Sequence, residues 1–163
     1  MLSVLRSQMK NGLTTGPKKL IIFFQKIKFK NKLENLAKIA VEKYIYNFEN
    51  YKLDLAANEV LSLAINTNLY LNDNQPWLLI KEKDKLPLVK EIIYNVLEST
   101  RIIGLLLLPL LPELSTKINE QLGSIYREEI PWKQQLSWGL LKSNSRLPKP
   151  TPIINKLEYE QHL

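Results

Sequence analysis

Apolar residues recur through residues 33–123 at the three- and four-residue spacing of an amphipathic helix. The first run predicts a helix over about residues 32–50, and its members are Leu33, Leu36, Ala37, Ala40, Val41, Tyr44 and Phe48. A second helix is predicted from about Asp54 to Tyr70, where the asparagines and proline of "LNDNQPW" end it. Its predicted buried residues are Ala57, Val60, Leu61 and Ala64.

Prolines and a glycine mark the limits of two further helices. The third is predicted from near Pro87 to Pro109, because proline fits the first turn of a helix but not its interior. Its predicted apolar stripe comprises Ile92, Ile93, Val96, Thr100, Ile103 and Leu107. The fourth begins at Pro112 and stops at Gly123, which we expect in the left-handed conformation. Short connections make helices antiparallel neighbours, so the sequence predicts an all-α antiparallel bundle.

The end of the chain, "RLPKPTPIINKLE", carries too many prolines for a helix. We predict an extended tail that crosses the bundle, with anchors at Ile153, Ile154 and Leu157. Trp132 and Trp138 are predicted to lie in the core, the second of them beneath this tail.

The composition limits the chemistry. The chain has 163 residues, no cysteine and one histidine, as expected for a single intracellular globular domain without disulfides or thiolate metal sites. His162 is the penultimate residue, and chain ends are poor places to hold a catalytic or metal-binding imidazole. The longest apolar run, residues 102–111, is too short to cross a bilayer. We therefore predict no catalytic residue, no metal site and no cofactor.

The positive charge is concentrated at the beginning of the chain. The net charge is +7, and residues 1–32 carry no acidic side chain. Residues 1–32 are predicted to be a basic arm with three possible roles. It contacts phosphates, lies on an anionic membrane through residues 17–32, or is a targeting sequence that is removed by cleavage. Its basic residues are Arg6, Lys10, Lys18, Lys19, Lys26, Lys28, Lys30 and Lys32. Leu20, Phe23, Phe24 and Ile27 would give this arm a short amphipathic helix, which either docks on the body or stays free.

Three segments together resemble one known family. They are "NLYLNDNQPWLLIK", "VLESTRIIGLLLLPLLPELSTKINEQLG" and "LSWGLLKSNSRLPKPTPIINKLE". In order and spacing they resemble the C-terminal anticodon-binding domain of bacterial methionyl-tRNA synthetases, which has the class I synthetase anticodon-binding fold. The likeness covers about residues 33–158, which we assign to the bundle and its tail, and leaves residues 159–163 as a short C-terminal end.

The resemblance implies an RNA-binding role for a tryptophan. In the family, the tryptophan of the Pro-Trp pair lies against a base of the CAU anticodon, and this position is Trp77 here. The alternative is that Trp77 fills a gap between the second and third helices. Asn68 and Lys81 are further RNA-binding candidates, although the first could cap a helix and the second could be a solvated charge. Tyr70 is expected to pack with its hydroxyl at the surface.

The charged residue Arg101 lies on an otherwise apolar helix face. We expect it to pair with Glu98 or a buried carbonyl group instead of RNA. The five lysines at positions 18, 19, 26, 28 and 30 are the predicted phosphate contacts.

The sequence also departs from the family. A complete synthetase carries a His-x-Gly-His-like motif and a Lys-Met-Ser-Lys-Ser loop, and the chain contains neither. The chain alone is therefore expected to be inactive as an enzyme. The family's asparagine and arginine that hydrogen bond to the anticodon are also not matched, because Asn11 is followed four places later by Thr15.

Two functions remain open at this stage. The first is a tRNA-binding module that supports methionyl-tRNA aminoacylation, with an initiator or elongator methionine tRNA and a separate catalytic chain or larger assembly as partners. The second is a scaffold that has lost RNA binding and docks to an assembly or membrane through its arm. The expected location is the cytoplasm, with an organelle stroma or matrix as the alternative.

Overall fold

The computed structural model describes residues 32–124, 126–142 and 147–154, and the regular secondary structure within these ranges is entirely helical. The three long helices are α1 (Lys32–Glu49), α2 (Leu53–Asn74) and α4 (Leu86–Leu107). The remaining helices are α3 (Pro76–Leu79), α5 (Pro112–Gln121), α6 (Trp132–Gln135) and a 3-10 turn (Lys83–Lys85). The predicted all-α fold is therefore confirmed. None of these helices is long and apolar enough to cross a membrane.

The core lies where α1, α2 and α4 meet. Its buried apolar residues include Ala37, Ala40, Tyr44, Ala56, Val60, Leu63, Ile102, Leu105 and Leu106. The small side chain of Ala56 lies in the core where α2 packs closely against α4. The larger side chains of α4 fill the space, and each fully buried leucine or isoleucine contributes about 1.5–3 kcal/mol.

Two buried polar contacts fix how α2 lies against α4. The Tyr70 hydroxyl accepts a hydrogen bond from Asn95 Nδ2 at 3.2 Å, and Thr67 Oγ1 lies 2.7 Å from Ser99 Oγ. Residue numbers rise along α2 as they fall along α4, so the helices are antiparallel. The surface position expected for the Tyr70 hydroxyl is wrong, since this tyrosine is buried and burial raises the pKa of its hydroxyl.

The register predicted for α2 is only partly correct. Val60 is buried as expected, but Ala57 and Leu61 are exposed, while Ala56 and Leu63 are buried. Apolar residues occur on both sides of this helix, so its periodicity admits two orientations.

The stripe predicted for α4 also needs correction. Ile92 and Ile103 are buried as expected, but Ile93 is exposed. The buried surface of α4 is wider than the predicted stripe. It also includes Asn95 and Ser99, which pair with α2, and the ion pair of Glu98 and Arg101.

Arg101 of α4 lies in the interior. Its guanidinium donates two hydrogen bonds to the Glu98 carboxylate, at 2.9 and 2.7 Å. It also donates to the carbonyl oxygens of Gln135, at 2.6 Å, and Ser137, at 2.7 Å. The predicted pairing of Arg101 with Glu98 or a buried carbonyl is therefore confirmed, and both kinds of partner are present.

Glu98 connects α4 to the segment that follows α6. The residue is fully buried. Its carboxylate accepts hydrogen bonds from the backbone N–H groups of Gly139, Leu140 and Leu141, at 2.7, 3.0 and 3.0 Å. One carboxylate thus satisfies three backbone donors and one guanidinium, which holds residues 139–141 against the helix.

The contact between α4 and α5 depends on a small residue. A Cβ atom on Gly104 would lie 3.0 Å from Ile118 Cγ2 and 3.2 Å from Asn119 Nδ2. Ser115 Oγ donates a 2.7 Å hydrogen bond to the Gly104 carbonyl oxygen, which this close approach permits. Gly123 has φ +61°, so the predicted left-handed end of this helical segment is confirmed.

Residues 147–154 form no helix, in agreement with the proline-rich sequence. Thr151 pairs with the Gln121 side chain at the end of α5. Ile153 is partly buried, but Ile154 is 75% exposed, so its predicted anchoring role is wrong. Leu157 lies outside the described residues.

Both tryptophans that were predicted to be in the core pack against it. Trp132 and Trp138 are each partly buried. Trp132 also donates a 3.1 Å hydrogen bond from Nε1 to the carbonyl oxygen of Leu105, which ties α6 to α4.

Tyr44 has a fully buried hydroxyl with no hydrogen-bond partner among the described residues, and burial raises its pKa to about 12. We expect Tyr44→Phe to increase the free energy of unfolding by about 1 kcal/mol, because it removes an unsatisfied polar group and keeps the ring. Tyr70→Phe is the matched control, and should decrease it by about 1 kcal/mol because Asn95 loses its acceptor. Urea unfolding measures both. Equal losses in the two variants would contradict the assignment of Tyr44 as unsatisfied.

Candidate functional site

The Pro-Trp pair lies directly after α2, which continues to Asn74 instead of ending near Tyr70 as predicted. Asn74 Nδ2 donates a 2.6 Å hydrogen bond to the Tyr70 carbonyl oxygen, so the asparagine supports the last turn of the helix. Gln75 ends α2 in the left-handed conformation at φ +43°. Pro76 then opens α3, because its fixed φ suits the first helical position.

Trp77 is held on α3 with half of its side chain exposed to solvent. Pro76 beside it is buried, and α3 packs against α4, so the short helix is fixed to the bundle. The indole of Trp77 is 50% exposed. A half-exposed indole can contact the bundle with one part and offer the other part to a ligand. The same turn also exposes Leu78 and Ile80.

The other two candidates in the described region are both exposed. Asn68 lies on α2 and makes no hydrogen bond to any described residue, so it does not cap that helix. Lys81 lies four positions after Trp77, in the turn that follows α3, and forms no ion pair with a described residue. Trp77 and Lys81 therefore belong to one short segment, with Asn68 on the preceding helix. The five candidate lysines of the arm lie outside the described residues.

The charges around α3 are mixed. Residues 73–91 carry four basic and four acidic side chains, which are Lys81, Lys83, Lys85 and Lys90 and Asp73, Glu82, Asp84 and Glu91. Lys85 and Glu82 pair with each other at 2.6 Å. This neighbourhood has no net charge to attract phosphates over a distance, so the aromatic surface of Trp77 is its distinguishing feature.

A cavity of about 370 Å³ that was not predicted from the sequence lies beside the end of α5 and residues 140–142. Its lining includes Arg101 and Gln135, whose polar atoms already bond within the protein. The bond from Arg101 to the Gln135 carbonyl oxygen joins residues 34 positions apart, which is why periodicity could not predict it. In the ranges the structure covers, no three His, Asp or Glu residues are grouped to hold a metal ion.

Comparison with known proteins identifies relatives for most of the chain. Residues 26–162 match the family model described as the anticodon binding domain of methionyl tRNA ligase. A methionine–tRNA ligase from Synechocystis sp. is 34% identical, with 78% of this chain and 26% of the relative covered. The methionine–tRNA ligase of Bacillus subtilis is 30% identical, with 83% of this chain and 20% of the relative covered.

A solved structure shows the same fold. The apo methionyl-tRNA synthetase of Mycobacterium tuberculosis superposes with a TM-score of 0.72 at 24% identity. The match covers 81% of this chain and 26% of that protein. The chain thus spans about a fifth to a quarter of the length of these relatives. It belongs to the family of anticodon-binding domains of methionyl-tRNA ligases.

Proposed function

We propose that this protein binds tRNA and that Trp77 stacks on an unpaired base of the anticodon loop. The observation that carries the proposal is the half-exposed indole on α3, at the Pro-Trp position of an anticodon-binding domain. Bases in RNA loops can be unstacked from their neighbours and placed on an aromatic side chain.

Two polar residues support this contact. Lys81 is exposed four positions after Trp77, close enough along the chain to reach a phosphate next to a stacked base. Asn68 is exposed and its amide is not used within the described fold, so it can bond to a base or a sugar. Most of the phosphate attraction would come from Lys18, Lys19, Lys26, Lys28 and Lys30, since the charge around α3 is balanced.

The selectivity of this binding would be limited. Stacking is tolerant of base identity, whereas hydrogen bonds to base edges specify the sequence. Asn11 and Thr15 do not reproduce the asparagine and arginine that read the anticodon in the family. The chain would therefore bind anticodon loops with less preference for one anticodon than a complete synthetase.

The proposed role is support of methionyl-tRNA aminoacylation, with methionine activation carried out outside this chain. The matched region makes up only 20–26% of the relatives, and the chain contains neither adenylate-forming motif of a synthetase. A scaffold without RNA binding is the second candidate, and the balanced charge around α3 is the observation in its favour.

Capture from a native extract distinguishes the two functions. The tagged full chain should recover tRNA enriched over ribosomal RNA, and RNase treatment before capture should remove this RNA. A scaffold would instead retain the same proteins with and without RNase and recover no tRNA. That second result would overturn the proposed function.

A further inference from the structure

Helix α2 exposes a row of apolar side chains away from the core. Leu61, Ile65 and Leu69 are 58%, 58% and 49% exposed. Residues spaced by four lie next to each other on a helix, so these three form one continuous strip. We call these three residues the outer α2 surface.

The opposite side of α2 already supplies the contacts that the bundle needs. Val60, Leu63 and Thr67 are buried, and Thr67 bonds to Ser99 of α4. A helix with apolar residues on both sides is typical of one covered on both sides. The described residues cover only one side of α2, and a strip of three large apolar side chains is typical of an interaction site.

The charges of α2 indicate the chemistry of what covers this surface. The helix contains Asp54, Glu59 and Asp73 but no lysine or arginine. Glu59 lies 4.0 Å from Lys43 of α1, while Asp54 and Asp73, near the two ends of the helix, have no ion-pair partner among described residues. A surface with apolar residues between two carboxylates that have no ion-pair partner in the described ranges attracts an apolar ligand with basic ends.

We propose that the outer α2 surface binds a basic amphipathic helix of a partner protein. Such a helix presents apolar residues at i, i+3, i+4 and i+7, which can pack on the three aliphatic side chains. Lysines or arginines near its ends would lie close to Asp54 and Asp73, which are separated by about 29 Å along α2. This docking does not use Trp77, although Asn68, three positions after Ile65, lies next to the same surface.

A designed peptide tests this proposal directly. The probe is a fluorescein-labelled helix of about 18 residues with leucines at the spacing above and lysines elsewhere, titrated with the full chain by fluorescence anisotropy. We expect the lysine peptide to bind saturably. A control peptide with glutamates in place of the lysines should bind at least about tenfold more weakly. Raising the salt concentration from about 50 to 300 mM should weaken binding of the lysine peptide, and should reduce the difference in affinity between the two peptides.

Matched variants locate the binding site. The double variant Leu61→Ser, Ile65→Ser should bind the lysine peptide at least about tenfold more weakly, because both apolar contacts are lost. Leu140→Ser combined with Ile154→Ser, at residues 53% and 75% exposed, should change binding less than about twofold. All four side chains are exposed, so both double variants should melt within a few degrees of the parent. No binding, equal losses in the two double variants, or equal binding of both peptides would each overturn the proposal.

Discussion

Replacing Glu98 with alanine is expected to lower the free energy of unfolding by about 3–5 kcal/mol. The change leaves the buried Arg101 guanidinium without a counter-charge and three backbone N–H groups without their acceptor. A domain of this size has a total stability of about 5–15 kcal/mol, so the variant should be close to unfolding at physiological temperature. Urea unfolding followed by circular dichroism measures the loss.

Two companion variants keep this prediction testable when Glu98→Ala does not fold. Glu98→Gln retains an acceptor oxygen but not the charge, so its loss should be smaller than that of alanine. Glu120→Ala is the control, because Glu120 is exposed and should change stability by less than about 0.5 kcal/mol. A loss below about 1 kcal/mol for Glu98→Ala would show that the network does not hold the C-terminal segment.

Replacing Trp77 with alanine is expected to weaken binding of a methionine tRNA about 5- to 150-fold, the effect of removing one base–aromatic stack. Trp77→Phe should lose less, because it keeps an aromatic face. The melting temperature of Trp77→Ala should stay within a few degrees of the parent, since half of the indole is already exposed.

The comparison variant for Trp77 is Trp132→Ala. Trp132 packs against the core and donates to the Leu105 carbonyl oxygen, so its removal should cost about 3 kcal/mol of folding stability. The variant should bind RNA normally at temperatures where it remains folded. A strongly destabilised Trp77→Ala with unaltered tRNA binding would make Trp77 a structural residue.

Much of the fold follows from local signals in the sequence. Proline at the start of α5 and glycine after its end set the limits of that helix, because each residue acts on its own backbone. The orientation of α2 was predicted less well. Its apolar residues occupy two sides, and only packing against α4 determines that Ala56 and Leu63 are buried while Ala57 and Leu61 are exposed.

Most of the buried polar contacts could not be predicted from the sequence, with one exception. Arg101 and Glu98 lie one turn apart on a single helix, so their pairing could be anticipated. The pairs Thr67–Ser99 and Tyr70–Asn95 depend on how two helices are aligned. Residues 139–141 bond to Glu98 through their backbone N–H groups, which do not depend on the type of side chain and so cannot be recognised in the sequence.

For the candidate site, the sequence left two positions open for Trp77, exposed for RNA or filling a gap between helices. The structure shows Trp77 on α3 with half of its side chain exposed. Its contact with RNA stays a prediction, as do those of Asn68, Lys81 and the arm lysines. The domain limits at residues 32 and 158 and the cytoplasmic location are also predictions that no observation tests.

The fluorescence of Trp77 during titration with a methionine tRNA anticodon stem-loop tests RNA binding at this site most directly. The chain has three tryptophans, so Trp77 is the single indole in a Trp132→Phe, Trp138→Phe background that melts cooperatively. We expect free emission near that of solvated indole and saturable quenching by the stem-loop, because a stacked base contacts the exposed half of the ring. Anisotropy of a labelled stem-loop reports binding independently of the indole. Two results would contradict tRNA binding through Trp77. One is no change in anisotropy, and the other is unchanged Trp77 emission at concentrations that saturate the anisotropy change.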